Sequence, residues 1–267
     1  GAAIGSVVPI IGSAIGGLIG GALGAINSLM TKTTQNIVDS GLQFGGSLQG
    51  MQQGKGFNQY ASVDTKTSKY FGLSKKTSNS VQTQGLSDEL NSQFAMIFTN
   101  MQKSLEEAGK VLYGSSKGVT QALENMVFEV SKVSLKGLTG QALTDAINGV
   151  ISKALDQMAG TAFTNLEQVS QVGEGYAQAV IRVANSFSLV NATFDKLGMK
   201  LYAMDDAGIK AAMSFTELFD SMEEMQSVAS DYYDKFYTEQ EKQEKIVDAL
   251  KKQFTAMNEV LPDSIKA

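Results

Sequence analysis

Apolar residues recur at helical spacing along the chain from Leu86 onward. Leu90, Phe94, Ile97 and Met101 repeat every three or four positions, which is the period of a helix with one buried face. No stretch shows the period-two alternation that would predict a strand. We therefore predict an all-α protein built of extended helical segments and helical hairpins. Six helices are expected in this part: one capped by Ser87, one from Val119 to Val133, one capped by Thr139, one from about Glu174 to Gly198, one opened by Asp205 and Asp206, and one over residues 231–257.

The first 31 residues form a different kind of apolar segment, because they carry no charge. After Pro9, residues 10–30 would make a helix about 30 Å long, close to the hydrocarbon thickness of a bilayer. One side of this predicted helix is aliphatic and the other consists of small residues. The aliphatic side carries Ile11, Ile15, Leu18, Ile19, Leu23, Ile26 and Leu29, and the small side carries Gly12, Gly16, Gly17, Gly20, Gly21 and Gly24 with Ser13, Asn27 and Ser28. The segment is thus predicted to be an N-terminal glycine-zipper hydrophobic helix.

The glycine spacing predicts that this helix associates with copies of itself. Six glycines cost about 5–6 kcal/mol of helix propensity relative to alanine, so a single copy is a poor helix in water. Its Ile and Leu side chains contribute only about 2–5 kcal/mol to membrane insertion. Close packing of several copies through their small sides would add dispersion contacts. We expect a conditional, oligomeric membrane segment. The alternative is a flexible Gly/Ala-rich strip packed inside a soluble bundle or tube.

Residues 32–85 are rich in Ser, Thr, Gln, Asn and Gly and are locally basic. Between 54 and 85, five lysines stand against the single carboxylate of Asp64, a local net charge of +4. Such a segment could contact phosphates, lipid head groups or an acidic partner. The interpretation we favour is a solvated polar connector whose aromatic residues pack against a neighbouring protein. The five lysines are Lys55, Lys66, Lys69, Lys75 and Lys76.

Composition excludes several kinds of function. The chain has a net charge of −5 and a pI of about 4.9, which argues against a specific nucleic-acid-binding protein. It contains no Cys and no His, so disulfides, Cys/His metal sites and imidazole catalysis are ruled out. No motif predicts a catalytic residue, a cofactor or a metal ion, and we predict that the protein is not an enzyme. Residues 200–267 hold 14 acidic residues and 8 lysines, a local net charge of −6, which predicts an exposed or partner-facing arm.

Arg182 is the only arginine of the chain and lies within an apolar run. The interpretation we favour is a bridging residue paired with a carboxylate such as Glu174 or Glu167. The functional alternative is a contact between Arg182 and a partner protein. Together, these patterns predict four segments: a hydrophobic segment (1–31), a polar, locally basic connector (32–85), an amphipathic helical region (86–200) and an acidic C-terminal helical arm (201–267).

Two blocks of the chain resemble the C-terminal part of tail tape-measure proteins of long-tailed bacteriophages. They are "GLTGQALTDAINGVISKALDQMAG", residues 137–160, and "GEGYAQAVIRVANSFSLVNATFDKLG", residues 173–198. Members of that family often carry an E-G dipeptide followed by R-V-A and then by V-N and L-G, with a Gly/Ala-rich hydrophobic segment upstream. Here the matching residues are Glu174-Gly175, Arg182-Val183-Ala184, Val190-Asn191 and Leu197-Gly198. The family's long length-setting helical region has no counterpart here, which fits a chain taken from a larger protein.

The resemblance implies a mechanical role. A few parallel copies, most simply three, would lie in the tail lumen, contact the tail tube and be anchored by the tail-tip and hub proteins. During infection the protein would leave the tail ahead of the genome, and its hydrophobic segment would enter the host inner membrane and help to open a path for DNA. The expected locations are therefore the virion tail and, during infection, the inner membrane. Two other classes stay open: a secreted α-helical pore-forming toxin and a helical scaffold or assembly subunit that does not enter membranes.

Overall fold

The structure of the protein is a computed structural model that describes residues 36–69, 74–166, 170–256 and 260. All ten residues proposed for helix packing and membrane entry lie outside the described residues, so their predicted helix stays a prediction. They are Ile11, Gly12, Ile15, Gly16, Gly17, Ile19, Gly20, Gly21, Leu23 and Gly24.

The all-α prediction is wrong, because the described residues contain a four-stranded antiparallel sheet and eight helices. The fold is a mixed α/β fold. In chain order the elements are β1 (Asn36–Ser47), α1 (Leu48–Gln52), β2 (Phe57–Lys69), β3 (Ser74–Gly85), α2 (Asp88–Tyr113), α3 (Lys117–Glu124), β4 (Val127–Ser134), α4 (Gly140–Ala162), α5 (Tyr176–Lys196), α6 (Asp206–Thr216), α7 (Met222–Phe236) and α8 (Glu239–Ala256).

The sheet has the strand order β3-β2-β1-β4, so β3 and β4 form its edges. Strand β1 pairs with β2 from Asn36↔Asp64 to Phe44↔Phe57, whereas β2 pairs with β3 as far as Lys69↔Ser74. The residues expected to form a polar connector therefore contain three strands of one sheet. Gly41 is required where β1 passes β4, since a Cβ at this position would lie 1.8 Å from the carbonyl oxygen of Val133.

The strands could not be recognised from the sequence because their buried and exposed positions do not match an alternation of apolar and polar residues. In β2 the alternating positions Phe57, Gln59, Ala61 and Val63 are all buried. Gln59 is polar, however, and Tyr60 on the opposite face is buried as well. Nε2 of Gln59 donates to Gln84 at 3.3 Å, whereas its buried Oε1 has no hydrogen-bond partner among the described residues. A buried amide and a buried phenol on opposite faces conceal the period of two.

The chain splits into two compact units whose boundary lies between Asn185 and Ser186, inside α5. In the first unit, helix α2 packs on the sheet through aromatic contacts. The rings of Phe94 and Phe57 are stacked with their centres 5.0 Å apart, and the rings of Phe98 and Phe128 meet edge to face with their centres 5.6 Å apart. The predicted start of α2 is confirmed, because the Ser87 hydroxyl accepts a hydrogen bond from the amide of Leu90.

The helix predicted from Val119 to Val133 is wrong in its second half. Helix α3 ends at Glu124, and residues 127–134 form β4, which pairs with β1. Val127, Val130 and Val133 are spaced three apart, which satisfies a helical pattern, but valine also favours strands. Residues 127–134 form a strand and not a helix because the amides and carbonyls of β1 are available to pair with them.

The second unit contains the end of α5 and helices α6, α7 and α8. The predicted start of α6 is confirmed, because the carboxylate of Asp205 accepts a hydrogen bond from the amide of Gly208 at 2.7 Å. The helix expected to follow ends at Thr216, and a new one begins after Ser221, whose hydroxyl accepts from the amide of Glu224. The last predicted helix is divided into two at Tyr237, which is extended (φ −95°, ψ 133°). Within the part of the chain that the structure describes, no helix has the length and apolar character needed to cross a membrane.

Candidate interaction site

Arg182 and Glu174 form a bidentate ion pair at the start of α5. The guanidinium donates from Nε to Oε1 and from Nη2 to Oε2, each over 2.9 Å, and the amide of Gln171 donates to Oε2 at 3.1 Å. The hydrogen bond from Arg182, supported by that from Gln171, lowers the pKa of Glu174 below its ordinary value, although burial opposes the shift. The predicted pairing of Arg182 with Glu174 is thus confirmed. Contact of Arg182 with a partner protein stays a prediction, and Glu167 lies outside the described residues.

The residues beside this ion pair attach the start of α5 to α4. The carboxylate of Asp156 accepts a hydrogen bond from the amide of Ala177 at 2.9 Å, where the free amides and the dipole of α5 favour a negative charge. A Cβ at Gly175 would lie 3.0 Å from the same carboxylate, so a larger residue would press against it. The hydroxyl of Tyr176 donates to the carbonyl of Phe163. Gly175 of the Glu174-Gly175 dipeptide of the resemblance therefore lies against Asp156 of α4, just before α5 begins.

The C-terminal part of α5, in the second unit, forms hydrogen bonds with Tyr202 and Tyr237. Oδ1 of Asn191 accepts from the amide of Tyr202 at 2.8 Å, and its Nδ2 donates to the carbonyl of Tyr202 at 3.3 Å. The hydroxyl of Tyr237 donates to the carbonyl of Leu197, and Gly198 follows in the left-handed region with φ +64°. The Asn191 and Leu197-Gly198 positions of the resemblance therefore fix the chain as it leaves α5.

The region from the end of α6 through α7 carries an exposed surface that is both acidic and apolar, which we call the acidic arm surface. Residues 211–234 include six carboxylates and neither lysine nor arginine. All six carboxylate residues are exposed: Glu217, Asp220, Glu223, Glu224, Asp231 and Asp234. Large apolar side chains are exposed among them: Leu218 (74 %), Val228 (51 %), Tyr232 (49 %) and Phe236 (70 %). Exposed apolar groups within a charged rim are typical of protein interaction sites.

Lysines gather near the tyrosines at the end of α7. Lys196 lies 4.8 Å from the centre of the Tyr233 ring, and Lys245 lies 5.6 Å from that of Tyr237. The carbonyls at the C-terminus of α5 attract positive charge, and this attraction explains why the two ammonium groups lie there. Lys242 is paired with Glu239 at 3.0 Å and Asp234 at 3.9 Å. We therefore interpret this cluster as part of the fold of the second unit.

A polar cluster in the sheet centres on Asp39. Its carboxylate accepts from the hydroxyls of Tyr60 (2.7 Å) and Ser134 and from the amide of Ser40. Burial raises the pKa of Asp39, but these hydrogen bonds together lower it below its ordinary value. Burial and the hydrogen bond to Asp39 raise the pKa of Tyr60, so the phenol stays protonated. Sequence analysis missed this cluster because Asp39 and Ser134 lie on different strands, 95 residues apart.

The β2–β3 hairpin has a basic sequence beyond the residues of β2 that pair with the described part of β1. Described residues of β1 pair with β2 only up to Asp64, whereas β2 and β3 stay paired from Thr65↔Ser78 to Lys69↔Ser74. Residues 65–87 contain no acidic residue. We call this part of the two strands, residues 65–69 and 74–78, the basic hairpin; it carries Lys66, Lys69, Lys75 and Lys76.

Among the described residues, no group of three acidic side chains is placed to hold a metal ion. A small apolar cavity of about 20 Å³ lies in the first unit between the sheet, α2 and α4, lined by residues such as Phe57, Phe94 and Ile151. A cavity of this size has room for at least one water molecule, but its lining is apolar. No protein-family model, curated protein or solved structure matches the chain.

Proposed function

We propose that the protein is a structural component of a bacteriophage tail, the C-terminal part of a tape-measure protein. It lies as a few parallel copies in the tail lumen and is anchored at the tail tip. After expulsion, its N-terminal glycine-rich segment enters the host inner membrane and helps to form a path for DNA.

The observation that carries this proposal is the role of the motif residues in the fold. Glu174 and Arg182 pair with each other, Gly175 lies against Asp156, and Asn191 holds Tyr202. All of these interactions are structural contacts of helix α5, which is compatible with the mechanical role that the resemblance implies. The acidic arm surface adds support, because an acidic protein avoids binding to the DNA that passes through the tail.

The other two classes predict different behaviour. A secreted pore-forming toxin would use the same hydrophobic segment and would lyse intact cells when added from outside. A scaffold or assembly subunit would use the glycines only for packing and would leave vesicles intact. Neither class is supported by a specific contact among the described residues.

The proposal is tested by asking whether the chain is a tail component. Tails purified from the phage that encodes it are digested and analysed by mass spectrometry, and a peptide tag at the C-terminus is labelled with gold for electron microscopy. We expect peptides of this chain at a few copies per tail and gold at the tip. Its absence from finished tails, with the chain found only in assembly intermediates, would support the scaffold class and contradict our proposal.

A further inference from the structure

A groove of about 1050 Å³ lies in the second unit between the C-terminal part of α5, Tyr233 of α7 and helix α8. Its apolar lining consists of Ala192, Ile246 and Ala249, and all three residues are exposed. Ile246 has 59 % of its surface exposed, a large fraction for an aliphatic residue. Within the part of the chain that the structure describes, the groove therefore presents an apolar surface that a partner could cover.

The charged residues around the groove favour an acidic occupant. Four lysines and three carboxylates line it: Lys196, Lys242, Lys245 and Lys251 with Asp195, Glu239 and Asp248. Lys242 and Glu239 pair with each other at 3.0 Å. No described carboxylate forms an ion pair with any of the other three lysines, and these three outnumber Asp195 and Asp248. The tyrosine rings beside Lys196 and Lys245 position two of the ammonium groups without neutralising their charge.

The acidic arm surface has the opposite charge and a matching apolar row. Val228, Tyr232 and Phe236 are spaced four residues apart, so they follow one side of α7. The rings of Tyr232 and Phe236 are stacked with their centres 4.8 Å apart. In the described structure, the carboxylates of Glu217 and Glu223 accept no hydrogen bond and form no ion pair. Apolar side chains at this spacing are the anchors by which a helix binds in a groove.

The position of Tyr233 excludes docking of α7 within its own copy. Tyr233 lines the groove, so α7 forms one of its walls. The row that contains Tyr232 lies about 100° further round the helix and faces away from that wall. We propose that the apolar row of α7 in one copy of the chain docks in the groove of a second copy. The carboxylates of the acidic arm surface then face Lys196 and Lys251, and the row covers Ile246.

A contact between two different surfaces has a consequence for assembly. Each copy offers its α7 row to one neighbour and its groove to another, so a few copies can close into a ring. The inference goes beyond the proposed function, which requires several copies of the chain but names no contact between them.

The absence of cysteine from the chain allows a specific cross-linking experiment. One full-length variant, the groove chain, carries Ala192→Cys, and another, the arm chain, carries Ser227→Cys and a size tag. The two are mixed in non-ionic detergent and treated with a short bismaleimide. We expect a heterodimer band at least about tenfold stronger than in a control mixture with Gln157→Cys on α4 in place of Ala192→Cys. Salt at about 1 M should weaken the band, because it screens the charges.

Charge reversal tests whether the lysines and carboxylates attract each other. Gln243→Glu with Lys251→Glu, added to the groove chain, should weaken the cross-link about tenfold or more. Glu217→Lys with Glu223→Lys, added to the arm chain, should do the same. These four side chains are exposed and form no hydrogen bond or ion pair with a described residue, so their replacement should leave the fold intact.

Mixing the two reversed chains should restore the cross-link, because an acidic groove then meets a basic arm. A loss of folding would not be restored by mixing, so this step separates a broken contact from a damaged chain. Lys103→Glu with Lys153→Glu, on exposed positions of α2 and α4, is the matched control and should change nothing.

The apolar row is tested separately from the charges. Phe236→Ser in the arm chain should weaken the cross-link about tenfold, since an aromatic anchor is lost. Val130→Ser on β4 removes another apolar side chain of similar exposure, 67 % against 70 % for Phe236, and should leave the cross-link unchanged.

The inference is overturned if the mixed chains cross-link no better than the control pair, or if reversal of both partners fails to restore the band. Cross-linking confined to a chain that carries both cysteines would show contact within one copy, which also contradicts the inference. These outcomes are obtained with purified protein, so they are independent of whether tails contain the chain. Failure of the inference is thereby distinguished from failure of the proposed function.

Discussion

Arg182 holds Glu174 through two parallel hydrogen bonds of 2.9 Å, across the eight residues that include the first turn of α5. The guanidinium fork and the carboxylate have matching geometries, and Lys cannot reproduce the two bonds. Both side chains are largely covered, with 30 % of the arginine and 13 % of the glutamate side chain exposed. This pair therefore contributes more than an ordinary surface ion pair.

We predict that Arg182→Lys lowers the free energy of unfolding by about 1–2 kcal/mol, because one of the two charge-assisted hydrogen bonds is lost. Chemical denaturation followed by circular dichroism measures the change. Glu174→Gln and the double variant complete a thermodynamic cycle, in which the two changes together should cost less than the sum of the single changes. Strict additivity would show that the pair is not coupled. Lys153→Gln, an exposed lysine on α4, serves as the control and should have little effect.

Acid should weaken the fold through Glu174 and Asp39. Hydrogen bonds hold the pKa of each carboxyl below the ordinary values of 4.5 and 3.8 in the folded protein. A carboxyl whose pKa is lower in the folded state contributes stability that is complete above the unfolded pKa. That contribution is lost as the pH falls through the folded pKa. The free energy of unfolding should therefore be unaffected by these two groups from pH 7 to 5 and decline below about pH 4.5.

The same titration distinguishes the two carboxyls. Glu174→Gln should reduce the acid dependence but leave the part that belongs to Asp39, and Asp39→Asn should do the converse. An unchanged acid dependence in both variants would contradict the assignment of this stability to these hydrogen bonds.

Gly41→Ala should be strongly destabilising, by about 3 kcal/mol. The new Cβ would lie 1.8 Å from the carbonyl oxygen of Val133, so β1 and β4 would have to separate. Gly85→Ala is the matched control: a Cβ there meets no atom within 4 Å, and its effect should stay within about 0.5 kcal/mol. Thermal melting of both variants measures the difference. Equal melting temperatures would show that the close approach of these two strands is not required.

The small side of the predicted N-terminal helix should be needed to make membranes permeable. Leucine at Gly16, Gly20 and Gly24 makes the segment more hydrophobic but prevents close packing of copies through the small side. We predict that this variant loses release of a dye from vesicles. Ala22→Leu, which lies between Ile11 and Ile15 on the aliphatic side of the predicted helix, adds hydrophobicity outside the small side and should retain release. Retention of release by the glycine variant would favour simple insertion of single copies.

The helices could be predicted where a cap and an apolar period coincide. Ser87 and Asp205 each begin a helix at the predicted position, since a short polar side chain and a following buried face are both local features. The Arg182–Glu174 pair was also predictable, because the two residues are close in sequence. These predictions needed no knowledge of distant contacts.

The strands could not be predicted because their partners are distant in sequence. Val127–Ser134 becomes a strand by pairing with β1, about ninety residues earlier along the chain. The buried Gln59 and Tyr60 donate hydrogen bonds to Gln84 and Asp39, which lie on neighbouring strands. The same holds for the Asp39–Ser134 contact in the candidate site. A polar strand gives no periodic signal until its sheet is known.

A place for this chain at the tip of a phage tail is tested most directly by cryo-electron microscopy of intact tails at a resolution that shows secondary structure. We expect density at the tail tip for the four-stranded sheet with helix α2 packed on it, in a few copies, most simply three. Tip density that is fully accounted for by other proteins, in tails that infect normally, would contradict this placement.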